Sequence, residues 1–418
     1  MTRHVFTNAH LLDGENPARS GATVVVEGER ISAIAGAGES IPAQVDDLVY
    51  DLAGKTLMPG MVSGHFHTTY HNLGAEHGTP LMEVPPAFVA YRGLANVQTA
   101  LECGFTSVVG AGAICDIDPA LERAIEMGLV VGPRMVPCSR DTLSSADSTL
   151  PWWVRSVGDQ PLNLCDGPDE IRRVVREEIR RGARMIKIFA AGGHGAGTKG
   201  VRNFSRAELQ AATDAAHDRG VRIRAHVVGK KFIMECIEVG IDVLDHCDDM
   251  DDECIEAMVK AGVFVLPSLF LPLKMMSLPM FAFSMDQMKA DFNATCAILP
   301  RAVSAGVKLC IGDDFGAAGM PHGEYAGEMA LYVEHAGITP LEVIKWATCN
   351  GGQLFGCGDE LGTIEVGKLA DLVVVDGDPS ADIKVLGDRS RIALVLKGGQ
   401  LVAGARLTEF RNRAHPST

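Results

Sequence analysis

The sequence predicts an α/β protein: a (β/α)8 TIM barrel with a small β-sandwich domain built from both chain ends. Three observations support this prediction. Strand-like and helix-like segments alternate through the middle of the chain, which indicates a parallel sheet. Five strand-like segments carry a possible metal ligand toward their C-terminal end, and a parallel barrel gathers those ends around one mouth. The two chain ends contribute further short segments that are rich in β-branched residues.

The predicted domain division assigns residues 1–58 and 357–418 to the β-sandwich domain and residues 59–356 to the barrel. The chain has 418 residues and is 47% hydrophobic, which is enough for a barrel with insertions and a second unit. Neither chain end is long or apolar enough to bury a core of its own, so we expect the two ends to pair. Their strand-like segments are residues 23–31, 371–376 and 392–396.

Individual barrel elements can be predicted from local patterns. Short apolar segments at residues 106–110, 134–138 and 263–267 read as the second, third and seventh strands. A helix is predicted over residues 205–216, where Ser205 is followed three residues later by a glutamate in a capping-box pattern.

Potential ligands follow the predicted strands. Lys187 interrupts the apolar run of residues 184–193, where an unpaired ammonium would be costly unless its stem packs and its amine reaches a partner. His65 and His67 are separated by one residue, so on a strand both imidazoles face the same side and can bind one ion. The remaining candidates at strand ends are His226, His246, Asp313 and Asp314.

Taken together, these residues resemble the amidohydrolase superfamily of metal-dependent hydrolases, which have a (β/α)8 barrel. The similarity extends over nearly the whole chain. Within the superfamily the chain is most similar to the branch that contains imidazolonepropionase-related proteins and Xaa-Pro dipeptidases. The most specific parts of the resemblance are Pro59-Gly60 before His65-x-His67, the strand lysine Lys187, and the closing segment 367–376.

The resemblance implies a binuclear metal centre. His65 and His67 would bind the more buried ion. His226 and His246 would bind the more exposed ion. Lys187 would bridge both ions as a carbamate formed with CO2, which would turn a buried cation into an anionic ligand. Zinc is the expected metal, with manganese or cobalt as alternatives because carboxylate-rich sites accept several ions.

The ligand from the eighth strand requires a choice between two aspartates. The family usually has Gly-Thr-Asp at this point, whereas this chain has Gly312-Asp313-Asp314. Alignment on the glycine makes Asp314 the metal ligand and the residue that transfers the proton during hydrolysis. Asp313 then takes the threonine position, where we expect it to be hydrogen-bonded or exposed to solvent.

The implied function is hydrolysis of a carbon–nitrogen bond in an amide, peptide or cyclic amide, by attack of a metal-bridging hydroxide. A hydrolase of carbamates, lactones or other esters would use the same site. A mononuclear deaminase would normally lack Lys187 and would have a glutamate where this chain has Gly229. A catalytically silent scaffold would have lost ligands, and all six are present. We therefore favour the binuclear amidohydrolase.

Substrate specificity depends on the loops that follow the strands. Residues 270–283, after the seventh strand, are rich in methionine and phenylalanine. They form either a packed segment or an apolar wall for a hydrophobic or aromatic substrate. Related dipeptidases have a tyrosine where this chain has Val228, so that source of carbonyl polarisation is missing. The candidate substrate contacts are Tyr70, Trp152, His194, Lys231 and His322.

Charge and composition limit the possible partners. The net charge of −15 argues against nucleic acid or an anionic membrane surface. The N-terminal residues lack the apolar core of a signal peptide, and no run approaches the ~18 apolar residues of a membrane span. Eleven cysteines without a CxxC pair indicate reduced thiols. We therefore expect a cytoplasmic homo-oligomer that acts on a small molecule.

Overall fold

A computed structural model describes residues 3–72, 84–146, 162–193 and 200–405. The predicted substrate contacts Trp152 and His194 lie outside these residues. The strands, in chain order, are β1 (Arg3–Leu11), β2 (Arg19–Glu27), β3 (Arg30–Ala35), β4 (Asp47–Asp51), β5 (Thr56–Pro59), β6 (Met61–Phe66), β7 (Phe105–Gly110), β8 (Arg134–Val136), β9 (Thr142–Leu143), β10 (Asn163–Leu164), β11 (Met185–Phe189), β12 (Arg222–Val227), β13 (Val243–His246), β14 (Phe264–Pro267), β15 (Lys308–Leu309), β16 (Leu372–Val375), β17 (Ile392–Lys397) and β18 (Gln400–Ala403).

Helices separate most of the central strands, as the predicted alternation requires. Among the described residues, none of the helices combines the length and the apolar character that crossing a membrane demands. The α-helices are α1 (Pro86–Glu102), α2 (Ile117–Glu126), α3 (Pro168–Arg180), α4 (Arg206–His217), α5 (Lys230–Glu238), α6 (Asp252–Ala261), α7 (Phe270–Met276), α8 (Met285–Ala305), α9 (Tyr325–Ala336), α10 (Pro340–Lys345) and α11 (Gly351–Phe355).

Eight parallel strands close into the predicted barrel. Strands β6, β7 and β8 pair in that order, and β11 to β15 pair consecutively. Backbone hydrogen bonds join the two groups: Gly64 N donates to the Ile311 carbonyl at 2.8 Å, and Ser139 N donates to the Met185 carbonyl at 2.9 Å. The predicted second, third and seventh strands are β7, β8 and β14. Because all eight strands run in one direction, their C-terminal ends gather at a single mouth.

A separate sheet is built from both chain ends. This confirms the prediction that the two ends pair into one small β-domain. Its strand order is β18-β17-β16-β5-β1-β2-β3, and β4 adds to β1. The joint between the two ends is β5 against β16, where Pro59 pairs with Leu372 and Leu57 pairs with Val374. The two ends also share one buried apolar cluster. The division of the chain after residues 58 and 356 stays a prediction.

Helix α4 begins with the capping box that the sequence predicted. The Ser205 side chain accepts from the Glu208 backbone N–H, and the Glu208 carboxylate accepts from Ser205 N at 2.7 Å. Together these bonds satisfy backbone donors that the first turn of a helix otherwise leaves without partners.

Replacing Ser205 with alanine should therefore reduce the free energy of unfolding by about 1 kcal/mol. Chemical denaturation of the two proteins would measure the difference. The control is Ser304→Ala, an exposed serine whose hydroxyl donates only to the Pro300 carbonyl within α8; its effect should stay below about 0.5 kcal/mol. Equal effects of the two substitutions would contradict the prediction.

Candidate metal centre

Three predicted ligands meet at the barrel mouth. His65 lies near the end of β6 and His67 follows that strand, while Asp314 follows β15. The Asp314 Oδ1 atom lies 2.9 Å from His65 Nε2 and 3.2 Å from His67 Nε2, and the two Nε2 atoms are 3.0 Å apart. Ligands bonded to one ion at about 2.0–2.2 Å are themselves roughly 3 Å apart, so this spacing suits a single cation.

The outer ring nitrogens of the two histidines support the same interpretation. His65 Nδ1 lies 3.1 Å from Asp245 Oδ1, and His67 Nδ1 lies 3.1 Å from the Gly112 carbonyl oxygen. When each Nδ1 donates its proton outward, both Nε2 lone pairs face inward toward the Asp314 carboxylate. Three electron-pair donors that converge in this way repel one another unless a cation lies between them. The donor set therefore fits a divalent metal ion.

His226 and His246 lie next to this cluster. Their ring centroids are 4.5 Å apart, and the His246 ring is 5.4 Å from that of His65. His226 pairs with Phe189 of the neighbouring strand β11, and the rings of the two residues stack. His246 has a φ of 72°, in the left-handed region, and Cys247 after it has a φ of 58°. This local turn brings His246 inward although it directly follows the inward-facing Asp245.

Lys187 lies fully buried in β11 beneath the histidines. Its Nζ donates to Asp245 Oδ2 at 2.6 Å. Arg224, also fully buried, donates from Nε to Asp245 Oδ2 at 3.1 Å and from Nη2 to Oδ1. Arg224 Nη1 further donates to the carbonyls of Gly64 and Gly110 at 2.9 and 2.8 Å. The buried amine of Lys187 thus has an anionic partner, which a charge in an apolar interior requires.

Asp245 and Arg224 are residues that the sequence reasoning missed. Arg224 lies two residues before His226 and pairs with Lys187 across the sheet, so strand alternation could have indicated its inward direction. Asp245 directly precedes His246, and alternation would place the two on opposite faces. One signal was available: a buried arginine requires an anionic partner, and Asp245 lies on the neighbouring strand.

The two central carboxylates are held ionised by their surroundings. Burial alone would raise the pKa of Asp245, but Arg224, Lys187 and His65 hold it well below its usual value. Burial likewise opposes ionisation of Asp314, yet His246 and the hydrogen-bonding rings of His65 and His67 hold the pKa of Asp314 well below normal. Both carboxylates are therefore anions at neutral pH. For Asp314 this is the state that a metal ligand needs, and for Asp245 it is the state that pairs with Lys187 and Arg224.

Asp313 is fully buried and hydrogen-bonded. Hydrogen bonding was one of the two alternatives predicted for it, and solvent exposure was the other. Its Oδ1 accepts from Ser268 Oγ at 2.6 Å and from Asp314 N at 2.8 Å. Its Oδ2 accepts from the backbone N–H groups of Phe270 and Leu271 at 3.0 and 3.2 Å. Burial and the neighbouring Asp314 raise the pKa of Asp313, whereas these donors oppose the rise.

Two predicted substrate contacts lie beside the ligands. The Tyr70 ring stacks on His67 with centroids 3.8 Å apart, and its hydroxyl donates to Asp141 Oδ2. Burial and Asp141 raise the pKa of Tyr70 well above its usual value, so the phenol stays protonated. His322 packs its ring 5.0 Å from that of Phe66, and burial followed by the charge of His67 lowers the pKa of His322 to about 3. The Tyr70 ring therefore lies against a predicted ligand, whereas His322 packs on Phe66, which strand alternation turns away from His65 and His67.

Lys231 is placed differently from the other candidates. It is exposed in the first turn of α5, and its Nζ lies 5.7 Å from the centre of the Phe232 ring. Its neighbour Lys230 binds Asp251 and Glu253 at 2.6 and 2.7 Å. The lysine pair thus resembles a solvated helix start, and the described contacts do not bring Lys231 to the ligand cluster.

The apolar segment after the seventh strand begins with α7. The side chains of Phe270, Leu271 and Met275 are buried, and the Phe270 ring lies 5.4 Å from that of Phe315, the residue after Asp314. Lys274 Nζ binds Glu324 Oε2 at 2.7 Å. Helix α7 is therefore packed on the loop that carries the predicted metal ligand Asp314.

The chain is similar to known proteins along most of its length. The model of the amidohydrolase family matches residues 56–402. Ochratoxinase from Aspergillus niger is 30% identical over 422 residues, covering 94% of this chain and 84% of the relative. Imidazolonepropionase from Cutibacterium acnes is 26% identical over 363 residues, covering 84% and 83% of the two chains.

Solved structures show the same similarity. The crystal structure of A. niger ochratoxinase superimposes with a TM-score of 0.86 at 27% identity and covers 97% of this chain and 96% of that one. A Xaa-Pro dipeptidase with methionine bound in its active site gives a TM-score of 0.84 at 26% identity, with 96% and 99% of the two chains covered. Both matches extend over the barrel and the chain-end sheet.

Proposed function

Because this chain belongs to the amidohydrolase family, a hydrolase family acting on carbon–nitrogen bonds, we propose that it is a binuclear metal-dependent hydrolase. Its substrates would be small amides that carry an apolar or aromatic group. The observation that carries the proposal is the convergence of His65 Nε2, His67 Nε2 and Asp314 Oδ1 within 3.2 Å. The family uses divalent metal ions, and this cluster is one of the His/Asp groups that could hold one.

The remaining predicted ligands would complete a second position. His226 and His246 would hold the second ion, and Lys187, carrying a carbamate formed with CO2, would contribute to both. Zinc is the first metal to test, and manganese and cobalt are alternatives. Two divalent ions, when bound, would lower the pKa of a water molecule between them and polarise the scissile carbonyl.

The protein's own residues supply orientation and proton transfer. The Asp314 side chain is 18% exposed whereas that of His65 is 1% exposed, so Asp314 is the ligand of this pair that can meet a substrate. Asp314 would accept the proton from the attacking water and return it to the leaving nitrogen, which leaves as an amine. Asp245 and the Gly112 carbonyl contact the Nδ1 atoms of the two histidines and would keep their Nε2 atoms available to an ion.

The substrate class is proposed from the composition of the segment after the seventh strand. Residues 270–283 are rich in methionine and phenylalanine, which favours an apolar or aromatic group, whereas Phe270, Leu271 and Met275 themselves are buried in the packing of α7. The loop after β12 has Val228, which cannot donate a hydrogen bond to a carbonyl. Tyr70 lies against His67, but its hydroxyl already donates its one proton to Asp141, so polarisation of the carbonyl would fall to the metal ions.

The test combines metal analysis with a substrate panel. Protein prepared with bicarbonate and Zn2+ should contain about two metal ions per chain. It should hydrolyse members of a panel that includes an ochratoxin, Xaa-Pro dipeptides, N-acyl aromatic amino acids and aromatic carbamates. The control is His217→Ala, a surface histidine bound to Asp242, which should leave metal content and rates unchanged.

The outcomes separate the possible activities. Faster hydrolysis of aromatic amides than of the carbamates would support an amidohydrolase, and the reverse order would support the carbamate alternative. One metal ion per chain with deamination in place of hydrolysis would refute the proposal. Loss of metal from His67→Ala, but not from His217→Ala, would connect the activity to the cluster at the mouth.

A further inference from the structure

The Asp313 carboxylate joins three separate parts of the barrel mouth. Ser268 follows β14, Phe270 and Leu271 open α7, and Asp314 belongs to the loop after β15. All four residues donate a hydrogen bond to Asp313 at 2.6 to 3.2 Å. A single buried side chain therefore connects the end of the seventh strand, the start of an apolar helix and the predicted metal ligand.

We propose that Asp313 is a positioning residue that fastens α7 to the loop carrying Asp314, and so fixes the position of Asp314 as a metal ligand. The inference rests on the proposed function only in its assignment of Asp314 as a ligand. The hydrogen bonds themselves do not depend on that assignment.

Helix α7 requires an acceptor from outside its own segment. The residue before the helix, Leu269, provides no side-chain cap, and the first backbone N–H groups of a helix have no partners within it. Asp313 supplies that acceptor from a loop more than forty residues further along the chain. The position of α7 at the mouth therefore depends on Asp313 as well as on the sequence of the helix.

A carboxylate suits this position better than a hydroxyl. Its two oxygens offer about four acceptor sites, and four donors occupy them here. A threonine has one oxygen, so it could accept only part of this set. The same count argues against Asp313 as a metal ligand, although it lies close to His246 and Asp314. Its lone pairs are already engaged by protein donors.

Two further contacts fasten the same elements. The Phe270 ring packs against that of Phe315, and Lys274 binds Glu324. Each partner belongs to the chain after Asp314, so removal of Asp313 should loosen the joint without abolishing the packing. This residual packing makes substitution at residue 313 a workable experiment.

The experiment measures backbone hydrogen exchange and Zn2+ affinity in the full chain. In Asp313→Ala, exchange should be about 10- to 100-fold faster at the amides of Phe270, Leu271 and Asp314, because each loses a charged acceptor. The Zn2+ dissociation constant, measured by competition with a chelating dye, should rise about 10- to 100-fold.

Asp313→Asn separates the two halves of the joint. Its single carbonyl oxygen should face the two amides of α7, since the amide NH2 can then donate to the rotatable Ser268 hydroxyl. Asp314 N then loses its acceptor. We expect exchange at Phe270 and Leu271 to stay near the parent rate while Asp314 exchanges faster and Zn2+ binds more weakly. Ser268→Ala, which removes one donor, is the matched control and should change exchange at these amides less than about threefold.

Unchanged exchange at all three amides in Asp313→Ala would overturn the proposal. Faster exchange with the parent's Zn2+ affinity would also overturn it, because Asp313 would then be an ordinary helix cap without a positioning role. A parent protein that binds no Zn2+ would refute the proposed function, whereas the exchange rates would still decide whether Asp313 joins the two elements.

Discussion

Lys187→Ala is expected to lower hydrolytic activity by more than about 100-fold and to reduce the metal content below that of the parent. Loss of a residue that only supports a ligand already costs about 10- to 100-fold, so loss of a bridging ligand should cost more. The fold should survive, because Asp245 keeps Arg224 as a second cationic partner. Elemental analysis and rates on the best substrate of the panel would measure both effects.

Two further variants separate coordination from packing. Lys187→Met keeps most of the side-chain volume but has no amine to carboxylate. Lys187→Ala leaves room for a small acid, so added propionate should restore part of the activity in the alanine variant and none in the methionine variant. Lys308→Ala, an exposed lysine on barrel strand β15, is the control and should behave like the parent.

The opposite result would change the mechanism. If Lys187→Ala keeps two metal ions and full activity, the lysine serves only as a partner of the Asp245 carboxylate. The bridging carbamate would then be excluded, and the four histidines and Asp314 would have to hold the ions alone.

Most of the fold could be predicted because its signals are local. Strands β7 and β14 are short apolar segments bounded by turns, and each was expected within one residue of its observed start. The capping box of α4 is a four-residue pattern that needs no tertiary information. The eighth strand was harder: Asp313 and Asp314 were expected at its end, but β15 has only two residues and ends at Leu309. Gly312, with a φ of 136°, then brings the chain close to His65.

The sequence predicts only those residues of the candidate site that lie at the ends of barrel strands. The parallel barrel brings His65, His67 and Asp314 together, and position at a strand end was sufficient for the two histidines. The choice of Asp314 over Asp313 came from the resemblance to the family pattern Gly-Thr-Asp. Alternation pointed away from Asp245, because the left-handed backbone at His246 brings two consecutive residues to the same side. Only the need of a buried arginine for an anionic partner could have indicated it. Contacts that depend on register and on a single φ angle are invisible to pattern analysis.

Asp245→Asn is expected to have the second large effect. The carboxylate accepts from Lys187, Arg224 and His65, all of them buried. Asparagine keeps one acceptor oxygen and presents an NH2 group to the remaining donors. Removing one partner from a buried ion pair costs about 3–5 kcal/mol, so the free energy of unfolding should fall by about that amount. Chemical denaturation of the metal-free protein would measure it.

The same substitution should weaken metal binding. Without the carboxylate, His65 Nδ1 loses the acceptor that turns Nε2 toward the site, and Zn2+ affinity should fall about 10- to 100-fold. The matched control is Asp242→Asn, three residues earlier, whose carboxylate binds the partly exposed His217. It should leave Zn2+ affinity unchanged.

A double variant distinguishes the two roles of Asp245. Asp245→Asn with Arg224→Met removes the buried carboxylate and one of its two buried cationic partners, so Lys187 is the remaining buried charge. Replacing a buried ion pair with apolar groups of similar size is often neutral for stability. We therefore expect the double variant to recover part of the lost stability while Zn2+ affinity stays low, because His65 still lacks its acceptor. If Zn2+ affinity recovers together with stability, Asp245 acts only as the counter-ion of Arg224, and the orientation of His65 has another cause.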